Sequence, residues 1–333
     1  VSGGRIGGEG VLEPISPLGP VSLAVSIDDL FLWKGTPLPD GYSPLRTTKE
    51  LANAFGRQGL RGVYSFSNTA PTDDDRTLLS VFDHWVEHGH YVGNHTHHHA
   101  SLNWIDSGRY IEDIEVSEGI LGRWMTRSPT KYFRYCMDMW GDTAEKRDAV
   151  EAFLNRNGYR SSPLSVWFYD HAWIMPFWGA HKLKDREALK YLRRTFVETA
   201  LQQLRIQAAA ARAMFGRDPA HIWLVHGSPL AGEAIDEILD VFQAANVRFV
   251  SLEEAMRDPI YASQPVVTDR FRNTIQKWAE FKNYQIKDVP PKILDEVDAI
   301  APIPGQETHT VFGEILTGLC ARIGGTFSWP GWD

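Results

Sequence analysis

Seven of the twelve histidines, His84, His88, His90, His95, His97, His98 and His99, fall in one stretch, HWVEHGHYVGNHTHHH at 84–99. Imidazole is a good ligand for zinc and its neighbours, so a run this dense suggests a metal site, against the plainer reading of a polar, histidine-rich loop. His95 and His99 stand four residues apart, which sets them on one face if NHTHHH opens a helix or a helical turn. Asp28 and Asp29 end the apolar run VSLAVSI upstream. Asp29 with His95 and His99 makes the two-imidazole, one-carboxylate set that holds a divalent ion and leaves a position for water. Zinc is the expected ion, and cobalt, nickel or manganese suit the same donors. Paired aspartates at a strand end can also be a helix cap beside a surface residue. Here LFLW follows them, and two carboxylates buried together are costly without a cation.

Three further residues could complete an acid-base site. Arg134, after the apolar KYF, is either an ordinary arginine extending its head to solvent or the partner of the aspartate that does not ligate metal. His226 ends HIWLVH and is either structural or a general acid, since imidazole titrates near neutrality. Asp170, in WFYDH, either caps a helix or orients and tunes His226. His97 and His98 read as neighbours of the metal site or as solvent-facing groups. His84, His88 and His90 fall in the preceding helix and turn.

These residues meet only if the chain positions them. VSLAVSI at 21–27 reads as a buried strand, and 47–59 as a helix capped by Thr47 or Thr48 and stopped by Gly59. The alternation repeats: strand 60–66, helix 74–87, helix 110–124, strand 131–135, helix 143–157, strand 162–168, a long helix over 184–215, strand 221–226, a helix to Ala245 and a short strand NVRFV. Strands joined by helices of this length imply a parallel sheet covered on both faces. About seven units fit a closed or nearly closed β/α barrel better than a short open sheet. Asp28, Asp29, His95, Arg134, Asp170 and His226 then all fall at or just after strand ends, the rim where such barrels assemble their sites. Beyond Ile260 the pattern weakens, apart from a helical reading of VTDRFRNTIQKWAEFKNYQ. The chain divides into an N-terminal arm (1–20), flexible in composition, a catalytic domain (21–262) and a C-terminal extension (263–333) that packs on the barrel or on another subunit.

With 333 residues, 43% of them hydrophobic, the chain can bury a large core. A net charge of -8 without a Lys/Arg-rich block argues against nucleic acid as a partner. Cys136 and Cys320 resemble neither a zinc knuckle nor a disulfide scaffold. No apolar stretch reaches the roughly 20 residues of a membrane span. The chain begins at Val1, so location stays open between the cytoplasm and a periplasmic or secreted setting after removal of a leader.

Over about 21–262 the sequence resembles the polysaccharide deacetylase family, the NodB-homology carbohydrate esterases and amidohydrolases. The double-aspartate motif stands as SIDD, the histidine motif as GNHTHHHASL, the arginine motif as FRYCMD and the late leucine-x-histidine motif as LVH, in family order. The resemblance implies a distorted seven-unit β/α barrel. It makes Asp28 the catalytic base, Asp29, His95 and His99 the metal triad, Arg134 the residue that positions the base, Asp170 the carboxylate that tunes the acid, and His226 the general acid. It also implies hydrolytic removal of acyl groups, usually acetyl from amino sugars or xylan, with relatives that open cyclic amides and ureides. The chain departs from the pattern at Leu30, where the family commonly has glycine, at Cys136, where it has proline, and at Trp167, where an acidic residue often sits. The main-chain N–H of Met137 remains a candidate oxyanion donor.

The expected activity is metal-dependent removal of an acyl group from an acylated saccharide. The alternative is cleavage of a small cyclic or aryl amide, suggested by Leu30 and by Trp33, Trp140, Trp173, Phe177 and Trp178 if these face the cleft. A non-enzymatic carbohydrate-binding barrel is the third reading. Assembly into a homo-oligomer through the C-terminal extension is compatible with the sequence.

Overall fold

A computed structural model describes residues 19–328. The N-terminal arm inferred from sequence lies almost wholly outside these residues. Seven parallel strands, β1 (Val21–Asp28), β2 (Tyr64–Ser67), β3 (Tyr91–Asn94), β4 (Tyr132–Phe133), β5 (Arg160–Ser161), β6 (His221–His226) and β7 (Val247–Val250), form one sheet. The order is β5-β4-β3-β2-β1-β6. One edge of β1 pairs with β6 along Leu23 to Asp28, and the other is shared, β7 taking Val21 to Ala24 and β2 taking Ser26 to Asp28. Between β5 and β6 the ladder narrows to a single bridge from Val166 to Trp223. The result is a curled, incompletely closed β/α barrel.

Both faces of β1 are covered, which is why VSLAVSID reads as a continuous apolar run instead of an alternating one. The covering helices of the barrel are α1 (Pro44–Arg57), α2 (Ser80–Glu87), α3 (Ser107–Met125), α4 (Ala144–Arg156), α5 (Ile174–Leu183), α6 (Arg186–Phe215), α7 (Pro229–Ala244) and α8 (Leu252–Ala255). Beyond them lie α9 (Thr274–Phe281), α10 (Ile293–Asp298) and α11 (Thr308–Arg322). Trp85, Trp173 and Trp223 are fully buried between sheet and helices. Among the described residues, no helix is long and apolar enough to cross a membrane.

Several boundaries differ from the sequence reading for physical reasons. Helix α1 starts earlier than expected: Ser43 accepts from the Arg46 N–H and Pro44 occupies the first turn, while Thr47 and Thr48 are buried inside the helix. Strand β3 was not anticipated, because YVGN is short and interrupted by glycine. The run SPLSVWF at 162–168 does not form a full strand; only Val166 bridges, as the chain crosses the gap from β5 to β6. The described part of the C-terminal extension packs on the barrel. The Thr274 N–H donates to the Leu164 carbonyl, the Trp278 indole to that of Ile260, and the α11 side chains Phe312 and Leu316 are buried.

Candidate active site

The register of the sheet brings the chemistry to one height. Asp28 pairs with Phe66 on one side and His226 on the other, and Asn94 pairs with Phe133. The residues that follow, Asp29, His95 and Arg134, therefore emerge together at the C-terminal rim. Asp28 is the last residue of β1, whereas Asp29 turns into a left-handed conformation with φ of 51°. That inversion gives two consecutive carboxylates different surroundings.

Asp28 Oδ1 accepts from the Arg134 guanidinium at 2.7 Å, and its Oδ2 lies 3.7 Å from His95 Nε2. Arg134 is wholly buried and also donates to Ser26 Oγ at 2.8 Å and to the Ser162 carbonyl at 3.2 Å, with its plane 4.1 Å above the Phe66 ring. It cannot move to serve another anion. Asp29 instead takes two donations on Oδ1 from Asn68, one from its N–H at 2.9 Å and one from its side-chain amide at 2.7 Å. Asp29 Oδ2, fully buried, has no hydrogen-bond partner and lies 3.2 Å from His99 Nε2. Burial alone would raise the Asp29 carboxyl, but the imidazoles of His99, His95 and His226 hold it well below the usual carboxylate range.

NHTHHH does not open a helix, the condition under which the spacing would set His95 and His99 on one face; His95 to His99 form a tight loop in which Thr96 and His99 are left-handed, φ 66° and 57°. Asp113 from α3 grips it, accepting from the main-chain N–H groups of His97 and His98 at 3.0 and 2.9 Å and meeting His98 Nδ1 at 2.6 Å. His97 is held by Thr69 Oγ1 and Asp73 at 2.8 and 3.1 Å. Those two imidazoles anchor the loop and leave His95 and His99 facing inward, their ring centroids 5.0 Å apart. His95 Nδ1 donates to the Arg134 carbonyl at 2.7 Å, which fixes the tautomer and turns Nε2 toward the carboxylates. Burial lowers the His95 pKa and favours the neutral, ligating form.

A divalent cation fits this donor set: a buried anionic oxygen without a partner, two convergent imidazoles, and a neighbouring carboxylate already paired with arginine. Cys136 Sγ also falls within 4.8 Å of ligand atoms of His95 and His99. Its thiol, however, points at the His95 carbonyl and Thr96 Oγ1, both at 3.5 Å, and burial pushes its pKa well up. Asp29, anionic where that thiol is neutral and 3.2 Å from His99 Nε2, is the other candidate for the third donor.

Across the cavity, Asp170 accepts from both the N–H and Nδ1 of His226, at 2.7 and 2.9 Å. Burial alone would lower the His226 pKa, but Asp170, with Asp29 and Asp28 behind it, holds it up at about 9. The Asp170 carboxylate thus favours the protonated form of the His226 ring. Gly227 joins the halves of the site: its N–H donates to the Asp28 carbonyl at 2.8 Å, and a Cβ there would stand 2.6 Å from Leu30 Cα and 2.8 Å from the Asp29 carbonyl oxygen. The cavity between His226 and the carboxylates measures about 100 Å³.

Met137, on the cavity wall, and Asp138 are both left-handed, φ 55° and 51°, a strained pair for non-glycine residues. Lys277 of α9 secures them, donating to the Asp138 carbonyl at 2.6 Å and to its carboxylate at 3.0 Å, all buried.

All seven candidate residues thus converge. The aromatic residues were less well read. Trp173 packs into the core against Phe196, and Trp140 stacks on Tyr135, while Phe177 and Trp178 stay off the cavity wall. Trp33, expected at the cleft, does line the wall, and Trp167, Tyr169, Phe271 and Phe312 join it there. Asn68, Asp113 and Lys277 escaped the sequence reading, since each acts from a distant segment and carries no local signal.

Residues 40–153 match the family model described as polysaccharide deacetylase; the span holds His95, His99 and Arg134, while Asp28, Asp29, Asp170 and His226 lie outside it. Among solved structures the chain is similar to a mutant, with restored activity, of a family 4 carbohydrate esterase pseudoenzyme from Bacillus anthracis: 12% identity, 72% of this chain and 68% of that one, TM-score 0.49. It is also similar to a family 4 carbohydrate esterase from Bacillus subtilis (16%, 73% and 83%, TM-score 0.44). A third likeness is to an acetyl xylan esterase from Clostridium thermocellum in complex with cobalt (13%, 71% and 90%, TM-score 0.45). No curated protein matches.

Proposed function

We propose that this chain, which carries a polysaccharide deacetylase domain, is a metal-dependent hydrolase that removes an acyl group by amide or ester hydrolysis, zinc being the expected ion. The observation that carries the reading is the division of labour between adjacent aspartates: Asp28 paired with Arg134, Asp29 left with an unpartnered oxygen beside His99.

Asp29, His95 and His99 would hold the ion, which supplies Lewis acidity toward the scissile carbonyl and a water. Asp28 Oδ2, its carboxylate steadied through Oδ1 by Arg134, accepts the proton of the attacking water. The Met137 N–H, held in position by the Asp138–Lys277 anchor, donates to the carbonyl oxygen as it gains negative charge. His226 then protonates the leaving nitrogen or oxygen. An amine leaves poorly unless protonated, so an imidazole that Asp170 biases toward its protonated form suits amide cleavage especially well. The domain family directs the first assays to acylated saccharides. A non-enzymatic carbohydrate-binding role would not require this acid, base and ligand set.

The test is a pair of variants with metal content and turnover read side by side. Asp28→Asn retains one equivalent of metal and loses turnover, whereas Asp29→Asn loses the metal. If both retain metal and activity, the assignment fails.

A further inference from the structure

The helix α11 lies across the rim, contributing Phe312, Ile315 and Leu316 to the cavity wall. Phe312 meets Trp33 edge-on, centroids 5.0 Å apart, and Trp33 in turn contacts His226 at 5.1 Å and His99 at 5.6 Å. The last described helix of the chain therefore packs, through one tryptophan, against both the acid and a metal-site imidazole. Phe271, from the same C-terminal region, closes another side.

Two properties of this enclosure restrict what can enter. The first is size: about 100 Å³ is small beside the roughly 300–1,000 Å³ of common ligand sites, which favours a single ring over a polymer and leaves the choice between rings to the chemistry of the wall. The second is chemistry. Apart from the reacting groups, the polar groups on the wall are Tyr169, whose hydroxyl already receives the Gln276 amide at 3.2 Å, the half-buried His171, and the indole N–H groups of Trp33 and Trp167, which have no acceptor among the described residues; the other side chains are apolar. A sugar ring brought here would find two indole donors for its several hydroxyls, and each hydroxyl left unmatched costs roughly 5- to 150-fold in affinity. An aromatic ring meets indole and phenyl faces instead.

We propose that α11 makes this site selective for a small N-acylated arylamine and excludes acylated saccharides. The inference rests on the hydrolase reading and narrows it. The reaction is R–CO–NH–Ar plus water giving R–COOH and Ar–NH2: the C–N bond breaks, water oxygen joins the acyl carbon, and one proton reaches nitrogen through His226. Phe312 and Trp33 stack against the aryl group, and α11 is the specificity element.

The test uses the 333-residue chain, zinc-loaded, with acetanilide and 4-nitroacetanilide against N-acetylglucosamine and its trimer. The anilides should show at least tenfold higher kcat/KM. Phe312→Ala should raise the anilide KM about 10- to 100-fold, the worth of one buried phenyl, with a smaller change in kcat. Phe312→Leu, which keeps an apolar filler and guards against misfolding, should fall between. Calorimetric titration of acetanilide into Asp28→Asn reads binding without turnover and should give saturable binding. Preference for the sugars, or an anilide KM indifferent to Phe312→Ala, overturns the proposal and leaves the hydrolase reading intact. Anilide binding to Asp28→Asn with no wild-type turnover of any substrate overturns the hydrolase reading, and the assigned reaction with it.

Discussion

Replacing Asp170 with asparagine should shift the alkaline limit of activity by more than two pH units. Asparagine keeps the size of the side chain and one acceptor oxygen, so the His226 ring can stay in place, but the negative charge 2.9 Å from Nδ1 is gone. In the native site that charge, helped by Asp29 and Asp28, overcomes burial and lifts His226 from 6.5 to about 9. At about 1.4 kcal/mol per pH unit, this corresponds to about 3 kcal/mol in favour of imidazolium. A general acid must be protonated, so the alkaline fall of kcat/KM for the amide should come at least two pH units earlier in Asp170→Asn, where burial acts with less opposition, than in the wild type. A cation at Asp29 lowers both values, so the decisive quantity is the difference between the two profiles. The same linkage appears in stability. A folded value above the ordinary one means that the pair contributes fully below pH 6.5 and fades as pH rises through about 9, a slope that Asp170→Asn should lack. Superimposable alkaline limbs in the two proteins would refute the reasoning.

Four other outcomes are expected. Arg134→Met strands Asp28 in the core and should cost about 3–5 kcal/mol in urea denaturation; a loss below about 1 kcal/mol would contradict the buried pair. Asn68→Ala frees Asp29 Oδ1 from its side-chain donor and should weaken zinc binding roughly 10- to 100-fold by competition titration, with the fold retained. Lys277→Met releases the Met137–Asp138 turn and should lower kcat far more than it changes KM, a split that general destabilisation would not produce. Zinc at roughly 100 times its Kd should stabilise the native protein by about 2.7 kcal/mol, read as a rise in Tm that Asp29→Asn lacks.

The parts of the site legible in sequence were those written at strand ends. Asp28, Asp29 and His226 follow unbroken apolar runs, so their place on the rim follows from the strands alone. His95 and His99 do come together, but through a loop, not a helical turn, and its geometry depends on Asp113, fourteen residues beyond His99 and on α3. Nothing local in NHTHHH announces that partner. The run SPLSVWF has strand composition, yet it spans the opening of the barrel, where a single bridge replaces a ladder. Trp173 illustrates a different limit: following Asp170, it reads as rim, but its indole donates to Thr195 of α6 and the ring goes inward. α11 was the largest omission. THTVFGEILTGLCAR holds two glycines and scattered threonines that blur its period, and its apolar residues acquire meaning only from the rim they cover.

Gly227 gives the site a ruler. With Leu30 Cα only 2.6 Å from where its Cβ would stand, the strip bearing the acid and the strip bearing the carboxylates meet backbone to backbone, with no side chain between them to repack. The span across which a bond is broken is thereby fixed by main-chain contact, while part of the wall that meets the substrate is made of interchangeable side chains on α11. Directed evolution of this protein should therefore change substrates readily through residues 308–322 and reject almost every substitution at 227. The two tolerances can be measured in a single saturation library.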